Sequence, residues 1–169
     1  MTDSALQLLV GGLSRAELRE RLATSGVQLN AHAETLFSHP CFDEHPPETV
    51  TVVQRRVDDL GLPVGGTLPE VIAASLGQGL ELCPAITGPY LRLAMTSQAQ
   101  APDSLLSGGR IPTGALHVVA APLSEDHEFP KGFYLRVVEG VPWLRGFRCD
   151  DEYVWPPESV VALCAAEGS

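Results

Sequence analysis

Apolar residues recur along this chain with two periods, one near four residues and one of two, and the switch between them marks out the predicted elements. In GGLSRAELRERLATSG, Leu18 and Leu22 share a face with Ala23 nearby, while Arg15, Arg19, Glu20 and Arg21 fall outside it. That spacing predicts a short amphipathic helix. Ser14 and Glu17 supply an S-x-x-E capping box, Leu13 and Leu18 stand where a hydrophobic staple forms, and Gly26 can stop the helix in the left-handed conformation. Asn30 is placed to cap a second helix over AHAETLF, closed near Pro40. A third helix follows Thr67, with Thr67 and Glu70 as another capping box and Pro69 in its first turn. Leu68, Val71, Ile72 and Leu76 form its apolar face, and Gly77 and Gly79 limit its length.

Period two predicts strands. ETVTVVQRRV gives one over Val50 to Val57, and YLRLAM alternates Leu91 and Leu93 against Tyr90, Arg92 and Ala94. ALHVVAAPL, GFYLRVV, VPWLRGF and SVVALC follow in close succession, with Glu139 and Gly140 as the two-residue turn of a hairpin. Residues 97–114, rich in Ser, Gln, Gly and Pro, read as a long surface loop. The pattern predicts an α+β fold, short N-terminal helices packed on a mostly antiparallel C-terminal sheet. The reading is one domain over residues 1–169, ordered from about residue 13 to about residue 164.

Composition narrows the function classes. Of 169 residues, 44% are hydrophobic and 19% charged, enough for one core, and 16 Gly with 14 Pro favour loops and short strands. A formal charge of −10 repels phosphate backbones and anionic membranes at long range, so nucleic acid is not the expected partner. No apolar run reaches the ~20 residues needed to span a bilayer, and MTDSALQLLVGG lacks the basic start of a signal peptide. The four cysteines, Cys41, Cys83, Cys149 and Cys164, form no CxxC pair, which suits free thiols in a reducing cytoplasm. Cytoplasmic location is the expectation.

LGQGLELCPAITGPYLRL and FPKGFYLRVVEGVPWLRGFRCDDEYVWPPE together resemble a family of uncharacterised small bacterial single-domain proteins, from about Leu13 to Val161. The blocks that carry the resemblance are Leu82 to Pro84 (LCP), Gly88 to Leu93 (GPxLRL), Pro130 to Arg136 (PKGFYLR) and Trp143 to Gly146 (WLRG). The resemblance implies a stand-alone bacterial domain and carries across no activity, substrate or catalytic residue. Members of that family sometimes bear the label helicase; this chain has no GxxxxGK[ST] phosphate loop and too little mass for two coupled ATP-binding lobes. Members also more often carry an acidic residue near Ala85 or Ile86, where this chain reads CPAITGP.

The candidate site is the predicted hairpin. Phe133, Leu135 and Val137 point to one side and Tyr134, Arg136 and Val138 to the other, while Trp143, Arg145 and Phe147 alternate with Leu144, Gly146 and Arg148. One reading makes these a packed sheet with arginine stems laid over rings and paired to Glu139, Asp150, Asp151 and Glu152. The other makes Tyr134, Arg136, Trp143 and Arg145, joined by Arg92, a concave surface for an anionic or planar ligand, since Arg offers a rigid fork to phosphate or carboxylate. An exposed patch of Tyr134, Trp143 and Trp155 would favour binding; burial would favour packing. Between Phe129 and Trp155, Lys131, Arg136, Arg145 and Arg148 balance Glu139, Asp150, Asp151 and Glu152, which is no basic stripe for single-stranded nucleic acid.

Other constellations are weaker. His32, His39, Cys41, Asp43 and His45 are possible zinc ligands with the wrong spacing for a finger, so no metal is expected. Cys83 and Cys164, beside leucines and valines, read as small buried hydrophobes, and His117 inside a strand reads as structural. His127 among Glu125, Asp126 and Glu128 has acid-base chemistry only if a cleft forms there. Gly65 and Gly66 before the Thr67 cap could cradle an anion. No cofactor is implied. Three functions stay open: a binding domain for a protein partner or small anionic ligand, a small enzyme on a phosphate- or carboxylate-bearing compound with Asp150, Asp151 or His127 as acid or base, and an oligomer subunit.

Overall fold

The computed structural model describes residues 5–95, 115–121, 123–124, 126, 128–149 and 152–165. Along the chain come β1 (Leu6–Val10), α1 (Arg15–Thr24), β2 (Gln28–Leu29), α2 (Ala31–Phe37), α3 (Cys41–Glu44), β3 (Glu48–Arg56) and a 3-10 turn at Asp58–Leu60. Then follow β4 (Gly66–Thr67), α4 (Leu68–Gly77), β5 (Leu80–Glu81), α5 (Thr87–Ala94), β6 (Leu116–Val118), β7 (Gly132–Val138), β8 (Val141–Phe147), β9 (Val154–Trp155) and β10 (Val160–Ala165). No helix among the described residues is long and apolar enough to cross a membrane.

The main sheet has the order β1-β3-β10-β6-β7-β8-β2, with β5 added beside β10, and β4 and β9 make a separate two-stranded ladder. Pairings are antiparallel except β10 with β6 and β2 with β8. The α+β class and the mostly antiparallel sheet are as the sequence predicts. The separation of helices from strands along the chain is looser, because β1 and β3 come early and build one side of the sheet. The predicted loop at 97–114 lies outside the described residues.

Strand alternation divides the core between the two sheet faces. Val52, Leu116, Phe133, Leu135, Leu144, Ala162 and Cys164 pack with Leu18 and Leu22 of α1, Ala33, Leu36 and Phe37 of α2, and Leu91 of α5. Their neighbours in the strands, Val53, Val161 and Leu163, pack instead with Leu60, Leu68, Val71 of α4 and Trp155 of β9. A sheet buried on both faces needs apolar residues at successive positions, which explains why β3 and β10 alternate so imperfectly.

Local chemistry fixes the helices. Glu17 N–H donates to Ser14 Oγ at 3.1 Å and Ser14 N–H to Glu17 Oε1 at 2.9 Å; Thr67 and Glu70 repeat the box on α4. Each box satisfies two backbone donors that the first turn leaves unpaired. Asn30 does more. Its Oδ1 accepts from Ala33 N–H at 2.8 Å, capping α2, and from Gly146 N–H at 2.8 Å, while its Nδ2 donates to the Gly146 carbonyl at 3.1 Å. Helix α2 is thereby fastened to β8, so closely that a Cβ on Gly146 would stand 2.6 Å from the His32 carbonyl carbon.

The segment YLRLAM is a correction. It belongs to α5, with Pro89 in the first turn, where a missing N–H costs nothing, and Met95 N–H donating to the Leu91 carbonyl at 2.8 Å. Three apolar-polar pairs are too few to separate period two from period 3.6. The predicted turn at Glu139 and Gly140 is present, with φ of 51° and 80°, the double left-handed geometry of a tight hairpin.

Asn30→Ala removes a cap and two long-range hydrogen bonds and is expected to lower the unfolding free energy by about 2–3 kcal/mol; Asn30→Asp, which retains only acceptors, is expected to lose roughly half as much. Urea unfolding at unchanged slope is the measurement, and a wild-type midpoint for Asn30→Ala contradicts the docking role.

Candidate functional site

The β7–β8 register pairs Tyr134 with Arg145 and Arg136 with Trp143, so the two-residue turn sets all four side chains on one face, as a block two by two. Arg145 Nε donates to Tyr134 Oη at 2.7 Å, and its guanidinium carbon lies 4.9 Å from the Trp143 ring centre and 6.0 Å from that of Tyr134. The guanidinium is thus held by one hydrogen bond and one ring face, and it forms no ion pair with a carboxylate among the described residues.

Behind Tyr134 the aromatic contacts continue into the core. His117, its partner across β6 and β7, stacks on it at 4.7 Å and 19°. The His117 ring meets Phe147 edge-on at 4.9 Å and Trp155 at 4.8 Å, and Phe147 meets Trp155 at 5.7 Å. The exposed patch that would mark a binding face is therefore absent in that form: Tyr134 is 1% exposed and Trp155 fully buried. Arg136 is fully buried and Arg145 is 8% exposed, while Trp143 is half-buried. What solvent reaches of the cluster is the half-buried Trp143 and the small exposed part of Arg145.

Arg92 does not share this surface. As a residue of α5 it belongs to the layer on the opposite face, where a Cβ on Gly88 would meet the Phe133 ring at 2.7 Å. Its guanidinium donates to the Met95 carbonyl at 2.7 Å and to the Trp143 carbonyl at 3.4 Å, and burial lowers its pKa. Arg92 therefore supports the backbone of β8 from behind.

Electrostatics distinguish the imidazoles. Burial alone pushes His117 down to about 3, so it is neutral at ordinary pH, and its Nδ1 and the Trp155 Nε1 are buried without a hydrogen-bond partner among the described residues. His32 is held below its usual value by partial burial and then by the positive charges of Arg148 and Arg145. The field of Arg145 thus extends to the start of α2. Arg148 itself pairs with Glu128 at 3.3 Å.

The other predicted constellations disperse. His39 Nδ1 accepts from Cys41 N–H, Asp43 pairs with Arg15 at 3.2 Å, and His45 pairs with Glu48 at 3.2 Å. No group of three or more metal-ligating side chains forms among the described residues. The start of α4 is filled by its own Glu70, whose Oε1 takes both the N–H and the hydroxyl of Thr67, and the Gly65 backbone lies against the Trp155 carbonyl. Glu125, His127, Asp150 and Asp151 lie outside the described residues. His117, Phe147 and Trp155 are the members of the cluster that sequence spacing did not join to it; alternation along β6 was the available signal for His117. No family model, curated protein or solved structure matches this chain.

A sealed histidine makes stability depend on pH. Above its usual 6.5 the imidazole is neutral in folded and unfolded chains alike; below, only the unfolded chain takes the proton until pH approaches 3. Stability is therefore fully present above 6.5 and is lost as pH falls, at up to about 1.4 kcal/mol per pH unit. Urea midpoints followed from about pH 7 to pH 5, above the carboxylate range, are expected to decline more steeply in the wild type than in His117→Phe. Equal slopes contradict the burial of a neutral imidazole.

Proposed function

We propose that the protein is a binding domain for a small anionic ligand, taken at the Arg145 and Trp143 end of the aromatic and arginine sheet face. The observation that carries this reading is the state of Arg145: a guanidinium fixed by Tyr134 Oη and the Trp143 ring, with no carboxylate neutralising it among the described residues, in a chain of net charge −10. A cation held in place before the ligand arrives loses little side-chain freedom on binding, and its Nη atoms offer a fork that fits carboxylate or phosphate. Buried Arg136, diagonal to Arg145 in the same block, adds positive charge behind it.

The enzyme reading needs an acid or base beside the bound group. His117, the imidazole of this cluster, is neutral and sealed among rings, so binding is preferred to catalysis. The same proposal keeps the chain with the small bacterial single-domain family it resembles, and in the cytoplasm, where its four free thiols suit the redox poise.

Titration with inorganic phosphate and with succinate, read by tryptophan fluorescence and by amide shifts along β7 and β8, tests the reading. A saturable response centred on Arg145 and Trp143 is expected, weakened about tenfold or more in Arg145→Gln and partly restored in Arg145→Lys. If neither anion gives a saturable response, the face is packing only.

A further inference from the structure

Two of the four cysteines meet inside the protein. Cys83 lies between β5 and α5, and Cys164 near the end of β10; both are buried, and their Sγ atoms are 3.3 Å apart. The backbone holds them there from both sides. Cys83 bridges to Ala120 in parallel, its N–H donates to the Val119 carbonyl at 2.8 Å, and Val119 N–H donates to the Ala162 carbonyl at 3.0 Å, while Cys164 is paired across the strands with Glu81. The other two thiols are separated by the sheet itself, Cys41 against the α2 side and Cys149 against the Trp155 side.

We propose that Cys83 and Cys164 are a redox pair that closes into a reversible intramolecular disulfide when a small peroxide enters. The sulfurs need approach by only about 1.3 Å to reach bonding distance. In the reduced protein Cys83 S–H is within 3.6 Å of the Ala162 carbonyl. In that state Cys164 S–H donates to Cys83 Sγ; once the Cys164 proton leaves, Cys83 S–H can turn to the thiolate, so this contact lowers the Cys164 pKa, while the same contact and burial raise that of Cys83. Burial selects the oxidant: hydrogen peroxide is nearly as small as water, whereas a tripeptide disulfide cannot reach either sulfur.

The chemistry balances in two displacements. The Cys164 thiolate attacks one peroxide oxygen, the O–O bond breaks, and the departing hydroxide takes a proton to leave water and a Cys164 sulfenic acid. The Cys83 sulfur then attacks the Cys164 sulfur, the S–O bond breaks, and the hydroxide released takes the Cys83 proton. Two thiols and one peroxide give one disulfide and two waters; each sulfur loses one electron and the peroxide gains two. The bond closes a chain separation of 81 residues, which restricts the unfolded state strongly.

The full chain, treated in its native state with a slight excess of hydrogen peroxide, is expected to lose about 2 Da, and its thiol titre to fall from four to two. Proteolysis should yield a peptide joining Cys83 to Cys164, a reductant should restore the thiols, and the oxidised chain should melt several degrees higher. Cys83→Ser should instead leave a Cys164 sulfenic acid that dimedone captures, and a Cys41→Ser/Cys149→Ser chain should still cross-link. The proposal is overturned if the native chain gains oxygen at Cys41 or Cys149 while the pair stays reduced, or if the pair links only after denaturation.

Discussion

Asn30 is where the helical layer is tied to the sheet. Two of its three hydrogen bonds join residues 116 positions apart and the third caps α2, holding the start of that helix against the backbone of Gly146 with no side chain between. Two consequences follow from that closeness. On the α2 side, Phe37, Phe42 and Phe133 come into mutual contact at 5.0, 5.6 and 6.0 Å and seal the larger core. On the other side, fixing Gly146 fixes its neighbours Arg145 and Phe147, whose side chains point away into the aromatic cluster. A polar amide on one face thus sets the position of a guanidinium on the other.

The two faces of the sheet solve different problems. The face under α1, α2 and α5 is mostly aliphatic and phenylalanine, with Thr87, Tyr90 and Arg92 of α5 buried beside it, and most of its stability follows from apolar area removed from water. The Trp155 face encloses polar atoms: an uncharged imidazole, an indole N–H, a tyrosine hydroxyl and two arginines. Burying such groups is costly unless they are paired, and the Tyr134 hydroxyl supplies a partner for Arg145 inside the cluster. The ring stack behind that hydroxyl keeps it from rotating away.

Much of this was legible in the sequence because it is local. Ser14 with Glu17, Thr67 with Glu70, and Asn30 before AHAETLF each state a helix start within four residues, and Glu139-Gly140 states a hairpin turn. From that turn the alternation of Tyr134, Arg136, Trp143 and Arg145 follows directly. What failed was short or non-local. YLRLAM alternates for too few residues to distinguish helix from strand, and with that choice went the side of the sheet on which Arg92 lies. LQLLV carried no turn signal that would pair it with ETVTVVQRR. The approach of His117, Phe147 and Trp155 depends on β6 lying between β7 and β10, and no spacing along the chain states that neighbour relation.

The place of β10 has a consequence for how the chain reaches its fold. It follows every other strand in chain order, yet it lies inside the sheet, between β3 and β6. The β1–β3 pair and the β6–β7–β8 ladder therefore emerge from a ribosome as two separate strips, each with an unpaired edge facing the gap that β10 fills. Until that strand arrives the edges of Val52, Val53 and Leu116 are open to pairing with other chains, so the slow step of folding is also the step most exposed to aggregation.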